Sequence, residues 1–306
     1  MKDGVLLINK PAGFTSFDVV AKLRGMLKLK KIGHGGTLDP NVTGVLPIFI
    51  GRATKAIDLA PNTDKSYTAT VKLGLETNTQ DIWGEVVSEN SPETDIEKIE
   101  KTVLSFKGEQ NQLPPMFSAI KVNGVRLYDL ARDGLTIERQ TRKITVYDIT
   151  FEGKTENADE YKFSVSCSKG TYVRTICADI GIKLGCGATM TSLVRTSALG
   201  YKISDCLTLE EVQAAVDEGR VDALIKNVDS VFDSFPPIFL SQENEKPYLN
   251  GVPLPAKRVS GVFWDQNYSV TESLCYRVYT NDGKFIGIGK NFGGEFKSVK
   301  MFYNNF

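Results

Sequence analysis

The sequence predicts an α+β fold over most of its length and a small β module at its C-terminal end, on three observations. Residues 66–73 (SYTATVKL), 144–151 and 161–166 alternate apolar and polar side chains with the period of two that half-buried strands require. Residues 16–29, 95–106 and 208–218 carry their apolar side chains at helical spacing instead. Beyond Phe235-Pro236-Pro237 the pattern changes to Gly turns and short alternating strands such as YRVYT and KFIGIG. This sets a boundary near Pro236 and an all-β module over 259–302.

In order along the chain, Val5 to Asn9 is a short apolar strand ended by KPAGFTS (10–16). Thr15 and Asp18 have the spacing of a capping box, with Asp in place of the usual Glu or Gln. Val19, Val20, Leu23, Met26 and Leu27 then follow at helical spacing, so a helix is predicted over about 16–29. Its polar face and exit carry Lys22, Arg24, Lys28, Lys30 and Lys31, a basic run suited to phosphate contacts. Next comes GHGGTLDPNVTGVLP (33–47), a Gly-rich turn with one carboxylate, Asp39, feeding the apolar strand 44–50. Gly33, Gly35 and Gly36 allow close approach of a ligand or another backbone, and Pro40 biases Asp39 toward an extended conformation. From the pattern alone, Asp39 is equally well a turn starter or a carboxylate at the floor of a cleft.

GRATKAIDLA (51–60) reads as a short helix before the strand 66–73, which Tyr67 opens; an aromatic there is ordinarily core. LGLETNTQDIWGEV is turn-rich, with Asp81 and Gly84 as breakers. After the helix 95–106, QLPPMFSAIKVNGVRLYDLARDG holds a Pro-Pro break, an apolar strand, the hairpin pair Asn123-Gly124 and a short helix. Lys121, Arg126, Arg132, Arg139, Arg142 and Lys143, with Tyr128 among them, suit backbone tracking and base stacking on RNA, although a solvated surface hairpin has the same composition. SKGTYVRTICADIGIKLG (168–185) turns into a helix with Ile176, Ile180 and Leu184 on one face, which leaves Tyr172 and Arg174 at the strand-to-helix junction. An Arg so placed can pair bidentately with a carboxylate or hold a phosphate. LVRTSALG (193–200) leads to a further strand, and 208–218 is a capped helix.

The 306 residues are 41% apolar and 24% charged, an ordinary globular balance with length for one large domain and one small one. No apolar run approaches the roughly 20 residues of a membrane span, and none follows Met-Lys-Asp-Gly, so a cytoplasmic protein with no membrane partner is expected. Five cysteines, odd in number and without a C-x-x-C pair, suggest neither a disulfide framework nor a zinc ribbon. His34 is the single histidine; its Gly-flanked position favours ligand contact over core packing. Lys plus Arg equals Asp plus Glu at 37 each, so nucleic-acid binding would need a local basic surface.

GHGGTLDP followed by GVLP, together with the KPAGFTS block, Lys65-x-Tyr67, the G-x-x-T-x-T-x-D-x-x-G element and SKGTYVRT, resembles the TruB family of tRNA pseudouridine synthases from about Val5 to Gly200. The resemblance implies a mixed, largely antiparallel central sheet flanked by helices, with a thumb-like insertion at about 113–143. It also implies a catalytic domain over 1–236 and, from the looser match of YLNGVPLP, a PUA-like RNA-binding domain over 237–306. The activity implied is isomerisation of a uridine in the tRNA T arm, position 55, with base flipping and no metal, redox or nucleotide cofactor. Asp39 matches the nucleophile, Arg174 the cation that orients it, and Tyr67 the aromatic packed on the target base. His34, Tyr172, Leu193 and Lys10 match positions that bind substrate. The partner implied is the tRNA T stem-loop, with no protein partner and a monomeric state. Val42 stands where the family has Ala, a departure expected to alter packing only.

A non-catalytic RNA-binding or tRNA-folding chaperone would use most of the same residues. A carboxylate glycosidase normally needs a second placed carboxylate, and none stands out beside Asp39. GHGGTLDP lacks the G-K-[ST] ending of a P-loop.

Overall fold

The computed structural model describes residues 2–122, 124–259, 261–263, 266–268 and 270–302. Its first half contains β1 (Gly4–Lys10), α1 (Ser16–Leu27), β2 (Ile32–His34), β3 (Thr43–Ile50), β4 (Lys65–Leu73), β5 (Leu75–Thr77), β6 (Val86–Glu89), α2 (Ile96–Leu104) and β7 (Gly108–Gln112). The expected capping box holds α1: Thr15 accepts from the Asp18 amide and Asp18 accepts from the Thr15 amide. The helix stops two residues earlier than its periodicity suggests because Lys28 turns left-handed at φ 52°. The insertion carries β8 (Lys121–Val122), β9 (Val125–Arg126) and α3 (Leu127–Arg132). Asn123 of the expected hairpin turn lies outside the described residues. Then follow β10 (Arg142–Lys154), β11 (Glu160–Cys167), α4 (Val173–Leu184), β12 (Ala188–Ala198), β13 (Tyr201–Lys202) and α5 (Leu209–Asp217).

Nine of these strands form one sheet in the order β1-β3-β12-β4-β11-β10-β7, with β2 on β3 and β13 on β12, while β5 pairs with β6 and β8 with β9 in separate hairpins. Every pairing is antiparallel except β12 with β3, so the sheet is mixed and largely antiparallel, as expected. LVRTSALG leads into β13 as expected, and Leu193 to Ala198 are themselves strand: they are the second half of β12, which begins at Ala188 and lies inside the sheet between β3 and β4. One sheet face, with Tyr67, Ala69, Val71 and Leu193, packs on α4 and α2. Near the other end, Leu6, Ile8, Leu46 and Ile48 pack on α1 and α5.

Past Pro236, β14 (Pro237–Phe239), α6 (Gln242–Leu249), β15 (Leu254–Pro255), α7 (Ala256–Val259), β16 (Gly261–Phe263), β17 (Gln266–Tyr268), β18 (Cys275–Tyr279), β19 (Phe285–Phe292) and β20 (Glu295–Met301) complete the chain. Five of these strands form a second sheet, β14-β18-β19-β20-β15. Among the described residues the region 259–302 holds only strands after the end of α7, as expected, and the helix lies before it, between β14 and β15. QENEKPYL folds as α6 by burying Asn244 and Tyr248 one turn apart, a stripe too narrow to show as hydrophobic periodicity. The part of the expected all-β region at 260, 264, 265 and 269 lies outside the described residues. Phe232 and Phe235 stack with each other, and Phe285 and Phe302 pack on Phe232 in the core that holds Val5, Leu7, Val45 and Phe49.

Where β3 meets β12, Gly44 has φ 106°, and a Cβ there would sit 2.2 Å from the Arg195 carbonyl oxygen. Both the left-handed backbone and the close approach require glycine. Gly44→Ala is therefore expected to destabilise the protein by roughly 3 kcal/mol, read as a fall in melting temperature of about 6 °C or more.

Candidate active site

The Asp39 loop joins β2 to β3, and its carbonyls are held from several directions. Arg195, buried in β12, donates to the carbonyls of Gly36 (3.1 Å) and Thr37 (3.3 Å) as well as Val45 (2.8 Å). Ser16, at the start of α1, donates to Leu38 O (3.2 Å) and accepts from Leu38 N (2.9 Å). The Val42 amide donates to Asp39 O at 3.1 Å. Lys10 donates from Nζ to the carbonyls of Pro11 (2.8 Å), Phe14 (2.6 Å) and Pro40 (2.8 Å). All carbonyls from Gly36 to Pro40 are therefore engaged, and the loop has little freedom to move its carboxylate.

Arg174, in the first turn of α4, is 5% exposed. Its Nε lies 3.0 Å from Asp39 Oδ2, but the pairing is not bidentate. The rest of the fork reaches Thr79 O (2.8 Å), Asp81 Oδ2 (3.4 Å) and Phe117 O (3.0 Å). One guanidinium thus ties the carboxylate loop to the 77–84 turn and to the base of the insertion. The Arg174 side chain is buried while that of Asp39 is 45% exposed, so the carboxylate stays open to solvent or substrate.

Asp81, a breaker in the sequence reading, is a buried partner of Arg174. Thr79 Oγ1 donates to Asp81 Oδ1 (2.7 Å), and Thr77 Oγ1 donates to the Asp81 carbonyl (2.7 Å). A Cβ on Gly84 would fall 2.1 Å from Thr79 Oγ1, which explains the glycine that closes this turn. Gln80 bonds Thr175 of α4 at 2.8 Å, and its carbonyl accepts from Met190 of β12 at 3.1 Å.

A cavity of about 250 Å³ opens beside Asp39, with Lys65, Tyr67, Tyr172, Arg174 and Leu193 on its walls. Tyr67 and Leu193 form its apolar side from β4 and β12. Burial pushes the Tyr67 phenol up to about 12, with the neighbouring Arg195 guanidinium opposing the shift, so the hydroxyl is neutral at physiological pH. The Tyr172 backbone is clasped by buried Gln112, which accepts from Tyr172 N (2.8 Å) and donates to Tyr172 O (3.0 Å). Val42 also lines the cavity, so the departure from Ala reaches the site wall as well as the packing.

Asp39, Tyr67, Tyr172, Arg174 and Leu193 are thus brought together, whereas His34 and Lys10 are not. His34 lies on β2 opposite Ile48, away from the cavity lining, and burial lowers its imidazole pKa. Lys10 is fully buried with its ammonium on three carbonyls; burial pushes it down to about 8, against the pull of Asp39. It braces the loop from behind and presents no surface to a ligand. Among the described residues no group of three or more His, Cys, Asp or Glu is placed to hold a metal, and no helix is long and apolar enough to cross a membrane.

Residues 24–173 match the family model of the TruB family pseudouridylate synthase N-terminal domain, and 174–233 match that of the tRNA pseudouridylate synthase B C-terminal domain. The chain belongs to the TruB family. It is 44% identical over 302 residues to the tRNA pseudouridine synthase B of Clostridium kluyveri, covering 98% of this chain and 99% of that protein. It is 43% identical over 293 residues to the protein of the same name from Bacillus subtilis, covering 94% and 93%. The fold is shared with a Cbf5-Nop10-Gar1 complex (TM-score 0.74, 24% identity, 98% of this chain and 85% of that one). It is also shared with an H/ACA RNP bound to a substrate RNA containing 2'-deoxyuridine (TM-score 0.73, 23% identity, 98% and 85%). As a TruB-family pseudouridine synthase, the chain is an isomerase.

Sequence reasoning missed the supports of this TruB site: Ser16, Asp81, Gln112 and Arg195. Arg195 left one trace, an arginine two positions after Leu193 and so on the same face of the strand. Lys10→Met separates bracing from ligand binding. It is expected to cost about 2 kcal/mol or more through unsatisfied carbonyls, with a lower melting temperature and slower turnover but RNA affinity within about 3-fold of wild type.

Proposed function

We propose that this isomerase converts a uridine of the tRNA T arm, position 55, to pseudouridine, with Asp39 as the reacting carboxylate and no cofactor. The observation that carries the mechanism is the 3.0 Å contact of buried Arg174 with half-exposed Asp39 on the wall of the cavity. The tRNA substrate is supported by the activity named for the Clostridium and Bacillus relatives, and the T arm by the resemblance of the motifs.

The reaction breaks the N1–C1′ bond, rotates the uracil, forms C5–C1′ and moves a proton from C5 to solvent while N1 gains one. Asp39 is the group that bonds to, or neutralises charge on, the nucleotide while the base is detached. Its loop is fixed before substrate arrives, so little reorganisation is left for the reacting step. A uridine within a folded loop must first leave its stack, at a cost of a few kcal/mol. Tyr67 and Leu193 offset part of that by packing on the flipped base, and the base cannot drift away during rotation. Tyr67, its hydroxyl neutral and beside Arg195, is read as taking part when C5 loses its proton, on the resemblance of Lys65-x-Tyr67. Outside the cavity, Arg126 and Arg132 lie over the Tyr128 ring (5.7 and 5.4 Å), an arrangement suited to RNA backbone and base contact by the insertion. The second sheet is read as a PUA-like RNA-binding module on the resemblance of YLNGVPLP.

A T-arm RNA tritiated at uridine C5 tests this, because the label leaves only when C5 becomes the glycosidic carbon. Wild type is expected to release tritium and Asp39→Asn to release none while binding the RNA within a few-fold of wild type. Release by the variant would remove Asp39 from the chemistry. No release by wild type despite tight binding would favour a chaperone.

A further inference from the structure

Lys65 is the first residue of β4 and lies two positions before Tyr67, on the same face of the strand. It lines the cavity. A Cβ on Gly36 would meet its Cε at 3.6 Å and its Nζ at 4.0 Å, so the ammonium runs alongside the loop that carries Asp39.

The other cations around the site are committed. Arg174 serves two carboxylates and two carbonyls, Arg195 three carbonyls and Lys10 three carbonyls. Among the described residues, Lys65 has no carboxylate at ion-pair distance and no hydrogen bond from Nζ. It is nonetheless half-buried, and burial together with the positive charges of Arg195 and Lys169 lowers its pKa. Exposed Lys169 adds a second positive charge near it, in the segment whose Gly170 and Thr171 also line the cavity. Asp64, the preceding residue, and Cys167 oppose that shift without cancelling it, and a partly desolvated cation with no carboxylate at ion-pair distance carries a free-energy cost that an incoming anion removes. Uracil and ribose are uncharged, so in an RNA substrate that anion is a backbone phosphate.

We propose that Lys65 binds a phosphodiester flanking the target nucleotide and thereby positions the flipped uridine over Asp39. The assignment rests on the RNA substrate proposed above. Lys65 is a positioning residue: it acts on where the nucleotide sits, and Asp39 acts on the bond.

The test compares wild type, Lys65→Met and Lys65→Arg on T-arm RNA carrying either its natural backbone or a single methylphosphonate 5′ or 3′ of the target uridine. Tritium release by wild type from the natural RNA comes first; its absence would sink the proposed function rather than the role of Lys65. Lys65→Met is expected to keep the wild-type melting temperature and to raise KM about 10-fold, with the loss in the saturating single-turnover rate under about 3-fold. The slope of log Kd against log salt should become shallower by about 0.7, one single-strand phosphate contact. Lys65→Arg should restore most of the affinity. One of the two methylphosphonates should raise the wild-type KM to the Lys65→Met level and leave the variant unchanged. Unchanged KM and salt slope in Lys65→Met, or a methylphosphonate penalty equal in both proteins, would overturn the proposal. So would a fall of more than about 100-fold in the saturating rate at unchanged KM, which would place the ammonium on the reacting base instead.

Discussion

The buried guanidinium of Arg174 is the constraint on which the site depends. A cation almost entirely removed from water is tolerable only when each of its N–H directions meets an acceptor, because the desolvation cost of an unmatched buried ion is several kcal/mol. Here the acceptors come from three separate parts of the chain: the loop of Asp39, the turn of Thr79 and Asp81, and the base of the insertion at Phe117. Satisfying Arg174 therefore draws those parts together. The position of the Asp39 carboxylate is a by-product of charge compensation, and of the two carboxylates that Arg174 holds it is Asp39 that lines the cavity.

A second set of buried polar groups fixes the same loop from its backbone side. Arg195, Ser16 and Lys10 reach it from β12, α1 and β1, so the loop is the meeting point of the two cores that lie on those elements. The parallel pairing of β12 with β3 makes this possible, because it sets Arg195 against the backbone of Gly44 at the loop exit. On the proposed mechanism this rigidity has a use: a carboxylate held in place before binding needs no reorganisation when charge develops near it. The second sheet is built onto the opposite side of β1 and β3 through Phe232, Phe285 and Phe302.

What the sequence disclosed followed the range of the interactions. The capping box of Thr15 and Asp18 and the period-two strands are local patterns, and both appear where expected. Asp39, Tyr67, Tyr172, Arg174 and Leu193 could be marked as candidates through short motifs, and they share one cavity. Residues whose work is done at long range were misread or passed over. Lys10 belongs to a motif that implies a binding residue, yet its ammonium is held by carbonyls that include Pro40, 30 positions away. Asp81 reads as a turn breaker until Arg174, 93 positions on, is seen beside it. The start of β12 is polar and Gly-flanked, so its central place in the sheet comes from partners on both sides and not from its own periodicity. Helix α6 escaped notice because two buried side chains sufficed to dock it.

If one guanidinium holds the site together, its partners must act as a unit. The most direct measurement is the single-turnover rate on T-arm RNA for Arg174→Lys, Asp81→Asn and the double variant. Asp81 does not line the cavity, yet Asp81→Asn should slow the reaction at least about 10-fold, and the double variant should be no slower than Arg174→Lys alone to within about 3-fold, the strong non-additivity of residues in one network. A wild-type rate for Asp81→Asn, or a double variant whose loss equals the product of the single losses, would show that Arg174 serves Asp39 independently of its other partners and would contradict the account.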